Sequence, residues 1–263
     1  MVHFSILKRL FIRIYLVPYQ LFSLAFLRRK KMIIVTGADS KFYYSMLQLI
    51  NSIHIHEKGK YKIIAYDLGL TGNEINFFKW RFPTVELKKF DFSKYPQHAD
   101  INKNSGGYAW KPQIIFNEFT VNDSIPFIFW LDAGCIVRSQ LLLIRAALYF
   151  YGFYSAVSGP LIKELTHKNT ISLLNLERES NCKMLTAGVI GFNKRSDKNN
   201  MLLSEWANAA RNPEIICPPG SSKDNHRYDQ SIVSMLFYKI YKIKNQPIIS
   251  KKGLEIITQK YIG

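Results

Sequence analysis

Pro126-Phe-Ile-Phe-Trp-Leu-Asp-Ala-Gly-Cys-Ile-Val137 is the stretch that decides the fold. An apolar run bounded by a proline and an Ala-Gly pair is typical of a buried strand in an α/β sheet. The run ends in one carboxylate, Asp132, and ligands of open α/β sheets bind just outside the carboxyl ends of strands. A carboxylate there is costly to desolvate unless it meets a cation, a donor or a substrate hydroxyl. The segment alone leaves two alternatives open: Asp132 caps a turn, or it belongs to a binding site.

Strand-like and helix-like segments alternate along the chain after a basic leader at 1–31. Strands are predicted at 32–37, 61–66, 85–92, 126–131 and 187–192, and helices at 42–53, 73–80, 110–119, 139–154, 201–211 and 229–241. This alternation predicts a mostly parallel central sheet with helices on both faces. Because no linker is evident after residue 31, we expect residues 32–263 to form one domain.

The charge of the chain favours anionic partners. The formal net charge is +17, and seven basic residues with no acid fall within residues 1–31. Such a balance suits anionic lipid, phosphorylated metabolites or nucleic acid. No helix-turn-helix, RNP or zinc-finger pattern accompanies the charge, so a nucleic-acid-binding protein is the weaker hypothesis and no nucleic-acid partner is expected.

The leader contains a mostly apolar segment, Leu10 to Leu27, flanked by basic pairs and interrupted by Arg13, Pro18 and Gln20. The interruptions weaken a transmembrane prediction. We expect an interfacial segment on an anionic cytoplasmic leaflet. The alternatives are an ordinary helix packed on the domain and, less favoured, a single span. The expected localisation is cytoplasmic, peripheral to the inner face of a membrane.

Several familiar motifs are absent from the sequence. It contains no P-loop, no G-x-G-x-x-G after the first strand, no H-E-x-x-H and no G-x-S-x-G. The three cysteines are scattered without a C-x-x-C pair, which disfavours a disulfide scaffold and a structural zinc site and fits a reducing compartment.

Five segments then follow one another in a suggestive order. They are Thr36-Gly-Ala-Asp39, Gly107-Tyr-Ala-Trp-Lys-Pro112, Trp130-Leu-Asp-Ala-Gly134, Leu185-Thr-Ala-Gly-Val-Ile-Gly-Phe-Asn193 and His226-Arg-Tyr-Asp-Gln-Ser231. This order resembles the nucleotide-diphospho-sugar transferases of GT-A fold, especially glycosyltransferase family 8, over about residues 33–240. The resemblance implies a GT-A-like, Rossmann-like three-layer sandwich. It also implies a glycosyltransferase of the hexosyltransferase kind that uses a nucleotide-sugar donor. A UDP-sugar is the first donor candidate.

The resemblance also implies roles for residues. Asp132 is the first carboxylate of the family's D-x-D motif, and Lys111 is the basic residue of the preceding helix. The implied donor-binding residues are Thr36, Asp39, Asp67, Tyr108, Lys111 and Asp132; those on the acceptor side are Ala187, Gly188 and Arg227; the late pair near the reacting carbon is Asp229 and Gln230. Each also has a structural alternative, such as a helix N-cap for Asp229.

The sequence departs from the family pattern at Gly134, which replaces the second carboxylate of D-x-D. One carboxylate is a poor site for Mn²⁺ or Mg²⁺ by itself. Two alternatives stay open: His226 completes a metal site with Asp132, or Lys111, His226 and Arg227 supply the positive charge without a metal. The departure also motivates a catalytically inactive nucleotide-sugar-binding protein as a rival hypothesis.

The mechanism depends on stereochemistry. In an inverting enzyme Asp229 is the candidate general base; in a retaining one, which the family pattern weakly favours, the leaving phosphate takes the proton. The leader suggests a membrane-linked acceptor, so the expected partners are a nucleotide sugar, a glycan or glycolipid and an anionic membrane surface.

Overall fold

The computed structural model describes residues 14–121, 124–243 and 255–258. Its main sheet has six strands in the order β3-β2-β1-β4-β7-β6. These strands are β1 Met32–Ala38, β2 Tyr61–Asp67, β3 Glu86–Lys89, β4 Phe127–Leu131, β6 Phe153–Leu161 and β7 Lys183–Asn193. Strands β1 to β4 pair in parallel, and β7 pairs antiparallel with both β4 and β6. Two short strands, β5 Ile136–Val137 and β8 Ile256–Ile257, form a second sheet.

Helices cover both faces of the main sheet. They are α1 at 14–22, which continues as a π-helical turn Ser23–Leu27, α2 Tyr43–His56, α3 Gly72–Arg81, α4 Trp110–Val121, α5 Leu142–Tyr151, α6 Lys168–Leu174, α7 Asp197–Ala210, α8 Pro213–Ile216 and α9 Tyr228–Tyr241. The sequence prediction of a three-layer α/β sandwich with a mostly parallel sheet is therefore confirmed.

The core divides into two layers because side chains alternate along each strand. On β1, Ile33 and Val35 join the cluster that packs under α4, α7 and α9, whereas Met32 and Ile34 join the cluster under α2 and α5. All four side chains are fully buried. An uninterrupted apolar strand is what burial on both faces requires.

The predicted helix 139–154 is wrong at its end. Helix α5 stops at Tyr151 because Gly152 takes the left-handed conformation, with φ +76°. Glycine adopts this conformation without the steric cost that a side chain brings, and it commonly ends helices. The chain then continues as β6, an edge strand that the sequence analysis did not predict. Helices α6 and α8 were also not predicted.

The described part of the leader packs on the domain, which was one of the alternatives. Leu16 and Leu27 are buried in the same cluster as α2 and α5, while the intervening outward positions stay exposed. Among the residues that the structure describes, no helix has the length and apolar character needed to cross a membrane. Residues 1–13 lie outside the described residues, and membrane contact of the leader stays a prediction.

Candidate functional site

The site is built around Asp132, the residue that follows β4. Its backbone N–H donates to the carbonyl of Gly188 at 2.9 Å, which continues the antiparallel pairing of β4 with β7. The indole N–H of Trp130 donates to Asp132 Oδ1 at 2.7 Å. Residues two apart on a strand share a face, so Trp130 can orient the carboxylate. Trp130 was not among the predicted site residues, although its spacing of two from Asp132 was an available signal.

Gly188 is required by the close approach of Asp132. A Cβ atom at position 188 would lie 2.5 Å from Asp132 Oδ2. No real Cβ contact is that short, so a side chain here would displace the carboxylate. The absence of a side chain at Gly188 thus lets the Asp132 carboxylate lie directly against β7.

Two helices present charged side chains to this carboxylate from their first turns. Lys111 is the second residue of α4, and Asp229 is the second residue of α9. The ammonium of Lys111 lies 3.1 Å from Asp132 Oδ1 and 3.1 Å from Asp229 Oδ2. We call Lys111, Asp132 and Asp229 the ion triad. Lys111 and Asp229 are only 3% and 4% exposed.

The pKa values follow from burial and from these contacts. Burial alone would lower the pKa of Lys111, but the carboxylates of Asp132 and Asp229 outweigh it and raise that pKa, so the lysine stays charged. Burial raises the pKa of Asp229 to about 6, although Lys111 opposes the shift. A buried cation is therefore held between one partly exposed carboxylate and one buried carboxylate.

Two tyrosines next to the ion triad have unusual backbones. Tyr108 and Tyr228 have φ values of +56° and +47°, in the region that residues other than glycine seldom adopt. Their rings lie 5.9 Å apart, and the ammonium of Lys111 lies 5.4 Å from the ring centroid of Tyr108. Backbone strain of this kind clusters at functional sites, where the surrounding structure holds it in place.

Asp132 lies where two cavities meet. The first cavity lies beyond the carboxyl ends of β1 and β2 and is lined by Gly37, Ala38, Asp39, Phe42, Leu68, Ile101, Tyr108, Trp110, Asp132 and Ala133. The second is lined by Asp132, Cys135, Ser158, Pro160, Leu165, Thr186, Gly188, Arg227, Gln230 and Thr258. A larger cavity of about 950 Å³, beside Arg178 and Lys183, contains no member of the ion triad. We place the site at the two smaller cavities because they share the carboxylate that Lys111 contacts.

The predicted donor residues divide between the cavity wall and the structure behind it. Asp39 and Tyr108 line the first cavity, where Asp39 also accepts a hydrogen bond from the N–H of Phe42. Thr36 is fully buried and does not line the cavity. Asp67 is likewise absent from the wall, because its carboxylate accepts the backbone N–H groups of Gly69 and Leu70 and forms a turn.

Two of the three predicted acceptor residues, Gly188 and Arg227, line the second cavity, whereas Ala187 is buried and does not. Gln230 of the predicted late pair also lines it, and its side-chain oxygen accepts the N–H of Ala187 at 3.4 Å. Sequence analysis missed the hydroxyl-bearing residues Ser158, Thr186 and Thr258. Ser158 lies on β6, beyond the predicted helix 139–154 and in a stretch for which no element was predicted, so its place on a cavity wall could not be foreseen.

His226 does not fit the predicted metal site. It is fully buried, and both ring nitrogens are used, Nδ1 with the N–H of His167 and Nε2 with the carbonyl of Ile216. Burial lowers the pKa of His226 to about 4, so the ring is also not a source of positive charge at neutral pH.

The remaining donor set is also a poor match to a divalent metal. Asp229 already contacts Lys111, position 134 is glycine, and within the described ranges no group of three His, Cys, Asp or Glu side chains is placed to hold a metal ion. Mn²⁺ and Mg²⁺ require several hard oxygen ligands. The residues that surround Asp132 therefore fit an ammonium counter-ion better than a metal.

Comparisons with known proteins agree on the fold. A family model described as "Protein of unknown function (DUF1647)" matches residues 5–116. None of the curated proteins matches the chain. The apo structure of WbbM, a bifunctional glycosyltransferase, superposes with a TM-score of 0.53 at 14% identity, over 80% of this chain and 38% of that one. The chain thus spans less than half of WbbM.

A structure of an active-site mutant of LgtC has a TM-score of 0.50 at 14% identity, over 88% of each chain. A second LgtC structure, of this galactosyltransferase with donor and acceptor sugar analogs, has a TM-score of 0.49 at 15% identity, over 88% of this chain and 87% of that one. The superpositions with TM-scores of 0.53 and 0.50 show that the fold of the chain is GT-A-like. Identities this low establish the architecture and leave the activity to be argued from the site.

Proposed function

We propose that the chain transfers a sugar from a nucleotide-diphosphate donor to a hydroxyl acceptor. The first donor candidate is a UDP-sugar. The observation that carries the proposal is Asp132, which borders both cavities and lies 3.1 Å from the buried ammonium of Lys111. Sugar transfer from such a donor needs two adjoining sites and positive charge near the leaving diphosphate. The GT-A-like fold supports the same reading by analogy.

The first cavity suits the donor. It opens at the carboxyl ends of two parallel strands, where nucleotides bind in α/β sheets. The rings of Tyr108 and Trp110 offer apolar surface to a base or ribose, and Asp39 offers a carboxylate to hydroxyl groups. Lys111 would balance the charge that develops on the diphosphate, and Asp132 Oδ2 would accept a hydroxyl of the donor.

The second cavity suits a glycan or another polyhydroxylated acceptor. Hydroxyl groups of Ser158, Thr186 and Thr258 and the carboxamide of Gln230 line it. Such groups both donate and accept hydrogen bonds, as sugar hydroxyls require. Arg227 adds a cation at this wall.

In the proposed reaction the bond between the anomeric carbon and the diphosphate oxygen breaks. A bond from that carbon to the acceptor oxygen forms, and the acceptor proton passes to a base. Asp229 lines neither cavity and contacts Lys111. These positions favour Asp229 as the residue that positions Lys111, with the leaving phosphate as the base, which is the retaining course. Gln230, on the wall of the second cavity, would orient the acceptor.

The basic leader supports an acceptor that is linked to a membrane. We therefore place the enzyme at the inner face of a membrane as a peripheral protein. The seven basic residues within 1–31, with no acid, are the feature that favours this location.

A thermal-shift screen of UDP- and GDP-sugars, with and without Mn²⁺, tests donor binding. A ligand that binds only the folded state raises the melting temperature, by an amount set by its concentration relative to Kd. We expect a UDP-sugar to raise it without Mn²⁺, and Asp132→Ala to lose both this shift and the turnover of the sugar. Asp197→Ala, an acid on α7 outside both cavities, is the matched control. Turnover by Asp132→Ala equal to that of the wild type would refute the site.

Tight donor binding by the wild type with no transfer or hydrolysis on any acceptor would instead support an inactive nucleotide-sugar-binding protein. Gly134 is the feature that motivates this second candidate. Donor binding that requires Mn²⁺ would refute the proposal that the Lys111 ammonium takes the place of a metal ion. It would leave the proposal of sugar transfer intact.

A further inference from the structure

Helix α1 and its π-helical turn expose an unusual face. Every exposed residue from position 14 to 27 is apolar or aromatic: Ile14, Tyr15, Val17, Pro18, Leu21, Leu24, Ala25 and Phe26. Leu21 and Phe26 are 61% and 63% exposed. A helix on the surface of a domain ordinarily has its polar residues outward. Here the helix buries one side on the domain and presents a second apolar side to its surroundings.

Helix α5 extends this face. The ring of Phe22 lies 5.1 Å from that of Phe150, and the Tyr19 hydroxyl lies 3.2 Å from that of Tyr151. Nearer the end of the leader, the Arg145 guanidinium reaches the carbonyl of Leu27. The contacts run in opposite directions along the two helices, so α1 lies antiparallel on α5.

The last turn of α5 contributes three more exposed aromatic side chains beside α1, those of Tyr149, Phe150 and Tyr151. We call these three residues and the exposed residues of positions 14–27 the apolar face. Scattered exposed apolar residues are normal on a protein surface, but contiguous groups of them mark interaction sites.

The surroundings of the apolar face are basic. Arg28, Arg29, Lys30 and Lys31 follow it directly, and Lys8, Arg9 and Arg13 precede it in the sequence. No acidic residue occurs in this part of the chain. Apolar and aromatic residues flanked by lysine and arginine suit the boundary between the acyl chains and the headgroups of an anionic bilayer.

We propose that the apolar face docks on an anionic lipid bilayer, with α1 lying in the plane of the membrane surface. Leu21, Leu24 and Phe26 enter the boundary region, the aromatic side chains of α5 lie beside them, and Arg29 and Lys31 meet anionic headgroups. The charge complementarity favours a bilayer over a second copy of this chain, which carries the same positive charge on the same face. The inference deepens the membrane location in the proposed function by naming the face that docks, and its failure would leave sugar transfer untouched, since docking requires no turnover.

Flotation of the full chain with vesicles tests the proposal. One set of vesicles contains phosphatidylcholine alone, and the other also contains phosphatidylserine. We expect the wild type to float with the anionic vesicles and to be released as the NaCl concentration rises. Leu21→Ser/Leu24→Ser/Phe26→Ser should partition at least about tenfold more weakly, because apolar area no longer enters the membrane.

The matched control for this triple variant is Phe77→Ser/Trp80→Ser, which removes an exposed aromatic pair from α3. We expect this variant to float as the wild type does. Thermal unfolding of each variant shows whether it is folded. Equal flotation of the folded triple variant and the wild type would overturn the proposal.

A charge variant keeps the proposal testable if the triple variant does not fold. Arg29→Ser/Lys31→Ser removes two exposed charges without touching the apolar residues. It should weaken binding to anionic vesicles several-fold, since each basic residue near an anionic surface contributes to attraction. Lys168→Ser/Arg195→Ser, with the same charge change elsewhere on the surface, should not. Equal losses in both charge variants would contradict a localised docking face. A wild-type dimer that the triple variant abolishes, with no flotation of the wild type, would assign the face to a second copy.

Discussion

The ion triad and a second buried ion cluster, around Arg145, use charge in different ways. The guanidinium of Arg145 is fully buried and donates to the carbonyls of Lys30 and Lys60 and to the carboxylate of Glu57. These partners belong to two separate segments of the chain, the end of the leader and the loop between α2 and β2. In the ion triad, by contrast, the two acidic partners of Lys111 come from the ends of β4 and α9, and one of them, Asp132, borders both cavities.

The difference lies in where the charge is used. Around Arg145 the charge is matched within the protein, and the Glu57 carboxylate also accepts the N–H groups of Gly59 and Leu141. A polar network of this kind holds its elements in one arrangement. In the ion triad, the side chain of Asp132 is 31% exposed and borders both cavities, and Asp229, a buried acid with a raised pKa, contacts the lysine. Charge that is left available at a cavity is what a binding site requires.

Breaking the Arg145 cluster should have the largest effect on stability. Arg145→Met leaves Glu57 buried without its cation, which costs about 3–5 kcal/mol of unfolding free energy. Denaturant unfolding measures the loss. Lys239→Met, which breaks an exposed ion pair with Glu205, is the control and should change stability by less than about 1 kcal/mol. Similarly small changes in the free energy of unfolding of both variants would contradict a structural role for Arg145.

Breaking the ion triad should act mainly on function. Lys111→Met removes the cation near the diphosphate, and we expect kcat/KM to fall about 10²–10³-fold, as for the loss of a group that stabilises transition-state charge. Its cost in stability should be smaller than that of Arg145→Met, because Asp229 can take up a proton. Steady-state kinetics and denaturant unfolding on the same preparation compare the two. A variant that unfolds like Arg145→Met but transfers sugar normally would reverse the assignment of the two clusters.

A single methyl group can test whether the Asp132 carboxylate must be placed accurately. Gly188→Ala should push Asp132 Oδ2 away and lower kcat/KM about tenfold to a hundredfold, since small misplacements of reacting groups are costly. The control is Gly159→Ala on β6, where an added Cβ has no neighbour within 4 Å. Equal activity of the two variants would mean that Asp132 tolerates displacement.

The pH dependence of activity should report Asp229. Because burial raises its pKa to about 6, the ionised form that holds Lys111 is lost as pH falls below about 6. We expect kcat/KM to fall on this acidic side, and Asp229→Asn to flatten the profile there. The effect on stability has the opposite sign. The folded protein binds this proton more tightly than the unfolded chain, so this group adds stability as pH falls from about 6 toward the ordinary pKa of an aspartate, 3.8. If kcat/KM of Asp229→Asn still falls on the acidic side as in the wild type, another group is responsible for that fall.

Much of the fold could be predicted because the pattern is strong where strands are buried on both faces. Residues 32–37, 61–66 and 126–131 are predicted almost to their observed ends. Prediction fails at Gly152, where one left-handed residue converts an apparent helix into a helix and an edge strand. Local propensity could not show this, because the apolar residues on either side suit both structures.

The candidate site could be predicted in part. Lys111, Asp132, Gly188 and Gln230 lie together, as the order of the motifs indicated. Asp67 was predicted to bind the donor and His226 a metal, but the Asp67 carboxylate accepts the N–H groups of a turn and both ring nitrogens of His226 have partners within the protein. Aspartate after a strand and histidine near a helix start are equally suited to turns and to buried hydrogen bonds, and the sequence does not show which partners will be near.

The sequence by itself determined the α/β class, the order of the candidate site residues and the basic leader, because these depend on local patterns and on composition. Tertiary structure alone decided that Lys111 lies between two carboxylates, that Asp229 is buried while Asp132 faces two cavities, and that His226 has no free ring nitrogen. The physical reason is that these properties depend on residues up to about a hundred positions apart, whose contacts and desolvation exist only after the sheet and its helices have packed.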